Sequence, residues 1–409
     1  MKLCSAHLAL VVQLAACQPS TPQVTPVAVR PGLEVLISDS LALVRGRRVG
    51  IVTNQSAVDQ SGVHAVDRLL QAGVNLTAIL SPEHGFRGTA APGEVVASSV
   101  DSATGLPIYS LYTGSNFSPT PAMLENVDVI LIDLQDVGAR YFTWVATAVA
   151  VMEVAAREKK PVVILDRPNP IAGVVQGNVL DPAFTSSIGR LAVPMRHGLT
   201  LGEEARLAAH DLGLTVDLRV VPVAGWRRSA TFSGLGLPFI APSPNLRDLE
   251  ALFHYPGTCL FEGTALSVGR GTDAAFRQVG APWLDTARVL LRMKAYALPG
   301  VSFSNVSFTP RTPGDGKYAD TTVAGIRFML TDPSTYDPTL TAVTLLSVIQ
   351  QVHPDRIGFI PRHFDRLAGG AALREAITRG ETGLEILESW RPAQLEYQRR
   401  ARSFRIYEW

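Results

Sequence analysis

Two stretches indicate the fold of this chain most clearly: VDVILIDLQ at residues 127–135 and PVVILDRP at residues 161–168. Both are runs of aliphatic and β-branched residues with hardly a polar position, so neither leaves a face for water. Between them, residues 141–160 show helical periodicity and end in a lysine-rich turn that suits the helix dipole. The pattern predicts two buried parallel strands joined by a crossover helix.

The same alternation extends upstream of these strands. RVGIVTN at residues 48–54 predicts a strand, residues 62–73 a helix, and LTAILSP at residues 76–82 the next strand. Repeated strand–helix–strand units predict an α/β fold with a Rossmann-like, doubly wound parallel sheet. We predict this domain over residues 32–248, followed by a second, smaller α/β domain over residues 249–409, where parallel-strand signals are weaker.

Composition and charge exclude several classes of partner. The 409 residues are 46% hydrophobic and 18% charged, which is an ordinary globular composition for a chain long enough to form two domains. The formal net charge is +1, and no stretch gathers five or six Lys or Arg residues. The chain therefore lacks both the basic footprint of a nucleic-acid-binding protein and a polybasic membrane patch.

The N-terminus predicts export. Residues 1–16 have one positive charge, at Lys2, and then an apolar run that is too short to span a membrane as a mature helix. Small residues followed by Cys17 resemble a bacterial lipobox, in which the cysteine is lipidated; a plain secretory signal is the alternative. Residues 17–31, rich in Pro, Ser and Thr, predict a flexible tether. We expect an exported, membrane-anchored lipoprotein.

Polar clusters follow four of the predicted strands. In doubly wound sheets, ligands bind at the carboxyl ends of the strands, where the crossover loops converge. The clusters are TNQS at 53–56, PEHG at 82–85, DLQD at 133–136 with Arg140 and Tyr141, and DRPNP at 166–170. Carboxylates, amides and arginines are therefore expected to meet along one rim of the sheet.

The sequence lacks the motifs that are typical of several common kinds of active site. No GxGxxG or Walker pattern follows the first strand, so a nucleotide cofactor of the usual kind is not expected. There is no GxSxG elbow, no HExxH and no pair of cysteines with metal-ligand spacing. His84, His197 and Asp133 leave a metal-dependent amidase or esterase as a minor alternative, and we predict no metal.

Carboxylate chemistry fits the rim better. Cleavage of a glycosidic bond requires a general acid on one side of the bond and a base or charge-stabilising group on the other. Glu83 follows Pro82 and lies two residues before Gly85, at the end of a buried strand. Its candidate partners are Asp133, Asp136, Asp166 and Glu262. Each of these carboxylates also has a purely structural interpretation as a turn former, a helix cap or a local ion pair.

Taken together, the motifs resemble a known family. TNQS, SPEHGFRG, IDLQDVGARYFTW, LDRPNP, MRHGLTLGE, SPNL, YPGTCLFEGT and SVGRGT, in this order, are similar to the motifs of NamZ-type exo-β-N-acetylmuramidases. The resemblance implies release of N-acetylmuramic acid from the non-reducing ends of peptidoglycan fragments. It also implies a cleft between a Rossmann-like domain and a smaller C-terminal domain, without a nucleotide cofactor.

The resemblance also implies roles for individual residues. It makes Glu83 the catalytic acid/base, with Asp133, Asp136, Tyr141 and Glu262 as groups that could stabilise the transition state. The rim and motif positions suited to substrate binding are Asn54, His84, Arg140, Tyr141, Asp166, Arg167, Asn169, Arg196, His197 and Arg270. One departure is Ala265, where the family pattern leads us to expect asparagine. A non-catalytic muropeptide-binding lipoprotein is therefore the alternative function.

Overall fold

The computed structural model describes residues 28–114 and 117–409, and its first unit is built around a seven-stranded sheet. The strands of this unit are, in chain order, β1 (Val49–Thr53), β2 (Leu76–Ser81), β3 (Ser99–Val100), β4 (Pro107–Ser110), β5 (Val129–Asp133), β6 (Val162–Leu165), β7 (Gln176–Val179), β8 (Pro194–Arg196) and β9 (Leu218–Val221). The sheet has the order β3-β4-β2-β1-β5-β6-β9, and every neighbouring pair except β3 and β4 is parallel. β7 and β8 form a separate antiparallel hairpin. The predicted parallel α/β sheet is confirmed.

Helices cover both faces of this sheet. They are α1 (Gly32–Asp39), α2 (Ala65–Gln71), α3 (Thr143–Arg157) and α4 (Leu201–Asp211). Along β5, Val129 and Leu131 pack in one hydrophobic cluster with α1 and α2, whereas Ile130 and Ile132 pack in another with α3 and α4. Successive strand residues point to opposite faces, so an apolar run is what a doubly covered strand requires. Burying each of these side chains stabilises the fold by roughly 1.5–3 kcal/mol.

The crossover helix is shorter than the periodicity predicts. α3 begins after Phe142, and the chain leaves the helix before Lys159, which takes a left-handed φ of 54°. The predicted lysine-rich last turn therefore lies beyond the helix. Lys160 instead donates a hydrogen bond of 2.6 Å from Nζ to the carbonyl of Val127, just before β5. That lysine ties the end of the crossover to the sheet.

The second unit contains a smaller antiparallel sheet packed with helices. Its strands are β10 (Gln278–Ala281), β11 (Val301–Phe308) and β12 (Val323–Leu330), in the order β10-β12-β11. Its helices are α5 (Leu249–Thr258), α6 (Thr286–Met293), α7 (Pro338–Val352), α8 (Pro361–Ala368), α9 (Ala372–Thr378) and α10 (Gly383–Ala401). α7 is buried along most of its length and packs against α5, α6 and α10.

Both ends of the described chain fold onto the first unit. Val29 is buried and the backbone of Arg30 pairs with Ala224, so ordered structure begins before residue 32, the predicted start of the domain. At the other end, the Tyr407 hydroxyl accepts a hydrogen bond of 2.9 Å from the backbone N–H of Val223. The last residues of the chain thus pack on the first unit although the sequence assigns them to the second.

The predicted signal peptide, Cys17 and most of the predicted tether lie outside the described residues. Within the described ranges, no helix combines the length and apolar character needed to cross a bilayer.

Candidate active site

A cavity of about 150 Å³ lies between the two units, beside the turn that follows β2 and the start of α3. The first unit lines it with Glu83, His84, Pro92, Tyr141, Phe142, Thr143, Ile188, Ser243 and Leu246, and the second with Tyr255, Cys259, Glu262, Arg270, Phe276, His363 and Leu367. A larger cavity of about 690 Å³ lies between α6 and β11, but no carboxylate lines it. Another cavity, of about 470 Å³, is lined by Glu94 and Asp101 but not by Glu83. The cavity between the units is the candidate for carboxylate chemistry, because Glu83 and Glu262 both line it.

Glu83 reaches this cavity from the turn that closes β2. Its carboxylate is half-buried and accepts two hydrogen bonds, at 3.0 Å from the backbone N–H of Gly93 and at 2.9 Å from the Thr143 hydroxyl. Both donors are neutral, and no Lys or Arg forms an ion pair with Glu83 among the described residues. The carboxyl group is therefore held in place by neutral donors, without a Lys or Arg counter-charge.

His84 holds the turn that presents Glu83. His84 has a left-handed φ of 71°, and the following residue, Gly85, has 77°. This backbone is unfavourable for a residue with a side chain. The imidazole compensates, because Nδ1 bonds to the carbonyl of Ala90 at 2.9 Å and the ring packs edge-on against Trp144. Burial lowers the pKa of His84, although the adjacent Glu83 carboxylate acts in the opposite direction, so we assign it a neutral, positioning role.

Glu262 is the second carboxylate that lines the cavity. It lies in a 3-10 turn, Cys259–Gly263, and its Oε1 accepts a hydrogen bond of 2.5 Å from Nε of Arg270. Burial alone would raise the pKa of Glu262, but the charges of Arg270 and Lys317 lower it below its ordinary value. Glu262 is therefore ionised at neutral pH, in contrast to a carboxyl group that serves as an acid.

Aromatic side chains form the walls between these charged groups. Tyr141, Phe142, Tyr255 and Phe276 make edge-to-face contacts with ring centroids 4.8–6.3 Å apart. Such rings give the apolar C–H faces of a sugar a surface to pack on. The Tyr141 hydroxyl is not free for substrate, because it donates a hydrogen bond of 2.9 Å to the carbonyl of Pro256 in α5.

Two predicted rim residues form a buried ion pair outside the cavity. Asp133 and Arg167 are 0% and 5% exposed and form a two-point contact through Nε and Nη2 of the arginine. Nη1 of Arg167 donates to the carbonyl of Val58. Asn54 closes a local turn, in which its Oδ1 accepts from the backbone N–H and the hydroxyl of Ser56. Asp133 and Arg167 turn into the protein as a pair because buried charges need partners, whereas Nδ2 of Asn54 makes no hydrogen bond within the described residues.

Three more predicted binding residues also bond within the protein. Asp166 accepts hydrogen bonds from the hydroxyls of Thr200 and Tyr407 and from the backbone N–H of Gly202. Asn169 bonds to the backbone at Leu199 and Ile171. Arg196 donates to the Gln176 side chain at 2.7 Å and to the carbonyl of Ile171. None of the three lines the cavity.

Arg140 joins the two units. Its buried guanidinium donates from Nη1 to the carbonyls of Asn178 and Val193, at 2.8 and 3.0 Å, and from Nη2 to the carbonyl of Leu367 at 2.9 Å. Leu367 belongs to α8, and the two other acceptors belong to the β7–β8 hairpin region. The predicted substrate-binding arginine is thus a structural clamp.

Asp136, His197 and Glu204 form what we call the buried Asp–His–Glu cluster. One ligand-type atom from each lies within 4.8 Å of the others, so among the described residues this is the group that could hold a metal ion. The Nδ1 of His197 already accepts a hydrogen bond of 3.2 Å from the backbone N–H of Leu199. The cluster does not line the cavity. The structure does not bring His84, His197 and Asp133 together, so the predicted alternative metal site is not formed.

The residue that departs from the family pattern also lies away from the cavity. The backbone N–H of Ala265 donates to the carbonyl of Ile357, and its carbonyl accepts from the Tyr318 hydroxyl. Ala265 is not among the residues that line the cavity. The observation that favoured a non-catalytic binding protein therefore carries little weight.

The sequence analysis missed several residues of the site. Thr143 and Tyr255 each lie within one of the recognised motifs, so their positions offered a signal. His363 and Lys317 lie in segments without a motif. They reach the site through the folding of the second unit.

The fold and this site together define a glycoside hydrolase: a doubly wound unit and a smaller unit enclose two carboxylates and aromatic walls. Family models for the N-terminal and C-terminal parts of the exo-β-N-acetylmuramidase NamZ match residues 49–250 and 253–407. The chain belongs to the NamZ exo-β-N-acetylmuramidase family.

Individual relatives agree with this assignment. The chain is 36% identical over 382 residues to the peptidoglycan β-N-acetylmuramidase NamZ of Bacillus subtilis, covering 93% of this chain and 91% of that protein. Crystal structures of two DUF1343 family proteins from Bacteroides fragilis superpose with TM-scores of 0.85 and 0.75, at 30% and 28% identity. Each comparison covers 93% of this chain and 99% of the other.

Proposed function

We propose that this protein is an exo-acting glycosidase that releases terminal N-acetylmuramic acid from peptidoglycan fragments, with Glu83 as the general acid/base. The observation that carries the proposal is the position of Glu83: its carboxyl group lines the cavity between the units and is held by two neutral donors. The family assignment and the named Bacillus subtilis relative support the choice of reaction and sugar.

In the proposed reaction, the carboxyl group of Glu83 acts first as an acid and then as a base. The protonated acid gives its proton to the glycosidic oxygen as the bond to the anomeric carbon breaks, and the rest of the glycan leaves as an alcohol. The resulting carboxylate then takes a proton from the water that ends up on the anomeric carbon. Water is thereby added across the bond and Glu83 returns to its starting state.

The lining of the cavity supports a sugar substrate, because aromatic rings offer the apolar C–H faces of a sugar a surface to pack on. Tyr141 and Phe142 from the first unit and Tyr255 from the second lie along its walls. Attack at a chain end is supported by the family assignment.

Product release tests the proposal. Purified protein is incubated with a peptidoglycan digest that carries non-reducing N-acetylmuramic acid, and the free sugar is measured by mass spectrometry. Glu83→Gln keeps the size of the side chain and its hydrogen bonds but removes the titratable proton, so release should fall by about 10²–10⁴-fold. Glu388→Gln, at an exposed position of α10, is the matched control and should keep full activity. Equal activity of Glu83→Gln and the control would show that Glu83 is not the acid.

We further propose that the protein acts outside the cytoplasmic membrane, attached through a lipid on Cys17. The support is the sequence of residues 1–31, with its short apolar run, small residues before the cysteine and Pro/Ser/Thr-rich spacer. The full chain expressed in a bacterial host should incorporate labelled fatty acid and sediment with membranes. Cys17→Ala should do neither, and equal labelling of the two proteins would contradict the anchor.

A further inference from the structure

Arg270 presents unused hydrogen-bond donors beside the cavity. Its guanidinium is 14% exposed, and its Nε bonds to Glu262 while the group lies 5.1 Å from the Phe276 ring centroid. Neither Nη1 nor Nη2 has a hydrogen-bond partner among the described residues. A guanidinium fixed through Nε in this way directs its remaining N–H groups as a fork, the geometry that matches a carboxylate.

His363 lines the same cavity and is also without a side-chain partner. It lies in the first turn of α8, is half-buried, and neither ring nitrogen makes a hydrogen bond within the described part of the chain. Burial lowers the pKa of His363, and the positive charges of Lys317, Arg366 and Arg270 lower it further. Only the carboxylate of Glu262 raises it. The charges around His363 are thus predominantly positive.

Lys317 sets the geometry of this end of the cavity. Its ammonium donates to the backbone carbonyls of Phe261, Glu262 and Leu266, at 3.2, 2.9 and 3.1 Å, which secures the turn that contains Glu262. Asp315 partly offsets the charge of Lys317, but at His363 the positive charges of Lys317, Arg270 and Arg366 outnumber the one negative charge of Glu262. An anion is therefore favoured here, whereas the first unit places the Glu83 carboxyl group in the same cavity.

We propose that Arg270 and His363 form a carboxylate subsite for the lactyl group of the terminal sugar, with Glu262 and Lys317 as its positioning residues. This inference rests on the proposed function, because it takes the sugar from there. It gives the two units separate tasks: the first supplies the acid at the glycosidic bond, and the second selects a sugar that carries an acidic substituent.

The test compares two substrates that differ only at the lactyl group. One is nitrophenyl β-N-acetylmuramide and the other is the same compound with its lactyl carboxylate converted to the amide. His363→Gln should lower kcat/KM for the acid about tenfold, and Arg270→Lys about 10–100-fold, because a hydrogen bond to a charged group contributes about 1.5–3 kcal/mol. For both variants, the loss in kcat/KM should be several-fold smaller on the amide than on the acid. His210→Gln, at an exposed position, is the matched control.

Equal losses on acid and amide, or no loss on either, would overturn the carboxylate subsite. Thermal melting separates this outcome from misfolding, and His363→Gln removes no hydrogen bond within the described structure. If the wild-type protein hydrolyses neither substrate, the proposed function fails, and calorimetry with free N-acetylmuramic acid still decides the subsite. Binding should then be weakened about tenfold by His363→Gln; unchanged binding would refute the subsite independently.

Discussion

Replacing Arg140 with methionine should destabilise the protein. The guanidinium is 4% exposed and donates to the carbonyls of Asn178, Val193 and Leu367. No carboxylate forms an ion pair with Arg140 within the described ranges. Burial lowers the pKa of Arg140, which expresses the cost of holding an uncompensated charge away from water. Its donors bridge the two units, so their loss should loosen the docking of α8.

The size of the effect follows from the three carbonyls. Leaving a buried acceptor without a donor costs about 1–3 kcal/mol, so three of them set a range of about 3–9 kcal/mol. Part of this is offset, because methionine removes a buried charge whose desolvation costs several kcal/mol. We therefore expect a net loss of about 3 kcal/mol in the free energy of unfolding, a large share of the roughly 5–15 kcal/mol typical of folded proteins.

Urea unfolding followed by tryptophan fluorescence measures this loss, with nitrophenyl β-N-acetylmuramide hydrolysis as the second readout. Arg391→Met is the matched control: its guanidinium is 68% exposed and its partner Glu388 is 72% exposed, so the change should stay within about 0.5 kcal/mol. If Arg140→Met is as stable as wild type but has a strongly raised KM, the clamp interpretation is wrong and Arg140 binds substrate.

Three further changes test other parts of the structure. Tyr141→Phe removes a buried hydrogen bond to Pro256 and should cost about 1–2 kcal/mol in urea unfolding, whereas unchanged stability with a lost kcat would place the hydroxyl in the reaction. Burial raises the pKa of Asp166 to about 6 in the folded state, so the folded protein holds a proton that the unfolded chain has released. The stabilisation that comes from binding this proton is present at low pH and is lost as the pH rises. The stability of wild type relative to Asp166→Asn should fall by about 2 kcal/mol from pH 4 to 7.5, and a pH-independent difference would contradict the raised pKa. Exhaustive chelation should leave activity unchanged, because the buried Asp–His–Glu cluster lies outside the cavity, and loss of activity restored by a divalent cation would refute this.

The architecture was predictable because each central strand has a simple environment. A strand covered on both faces needs apolar side chains along its length. β6 is apolar at every position, and β5 is apolar at every position except its last residue, Asp133. The turn after β2 was predictable for the same reason, since a polar motif directly after a buried strand must lie at the carboxyl edge of the sheet. The position of Glu83 at this edge therefore follows from the local sequence pattern and the topology of the sheet.

Most of the other predicted rim residues could not be placed in this way. Sequence position puts Asp133 and Arg167 at the same edge, but only the folded arrangement shows that they satisfy one another, at 0% and 5% exposure. Charged side chains near the end of a sheet either face a ligand or form ion pairs inside the protein. The amino-acid sequence looks the same in both cases, so it does not distinguish them. His363 could not be predicted for the opposite reason. It lies in no motif, and it lines the cavity only because of the way the second unit docks.

The most direct test of Glu83 as the general acid asks whether the loss of activity in Glu83→Gln depends on the leaving group of the substrate. Glu83→Gln and wild type are compared by kcat/KM, which reports the bond-breaking step, on a dinitrophenyl β-N-acetylmuramide and on a disaccharide fragment of peptidoglycan. Dinitrophenolate departs without a proton, whereas a sugar hydroxyl requires one. The variant should lose about 10²–10⁴-fold on the disaccharide and less than about tenfold on the dinitrophenyl substrate. Equal losses on both substrates would contradict the assignment of Glu83 as the acid.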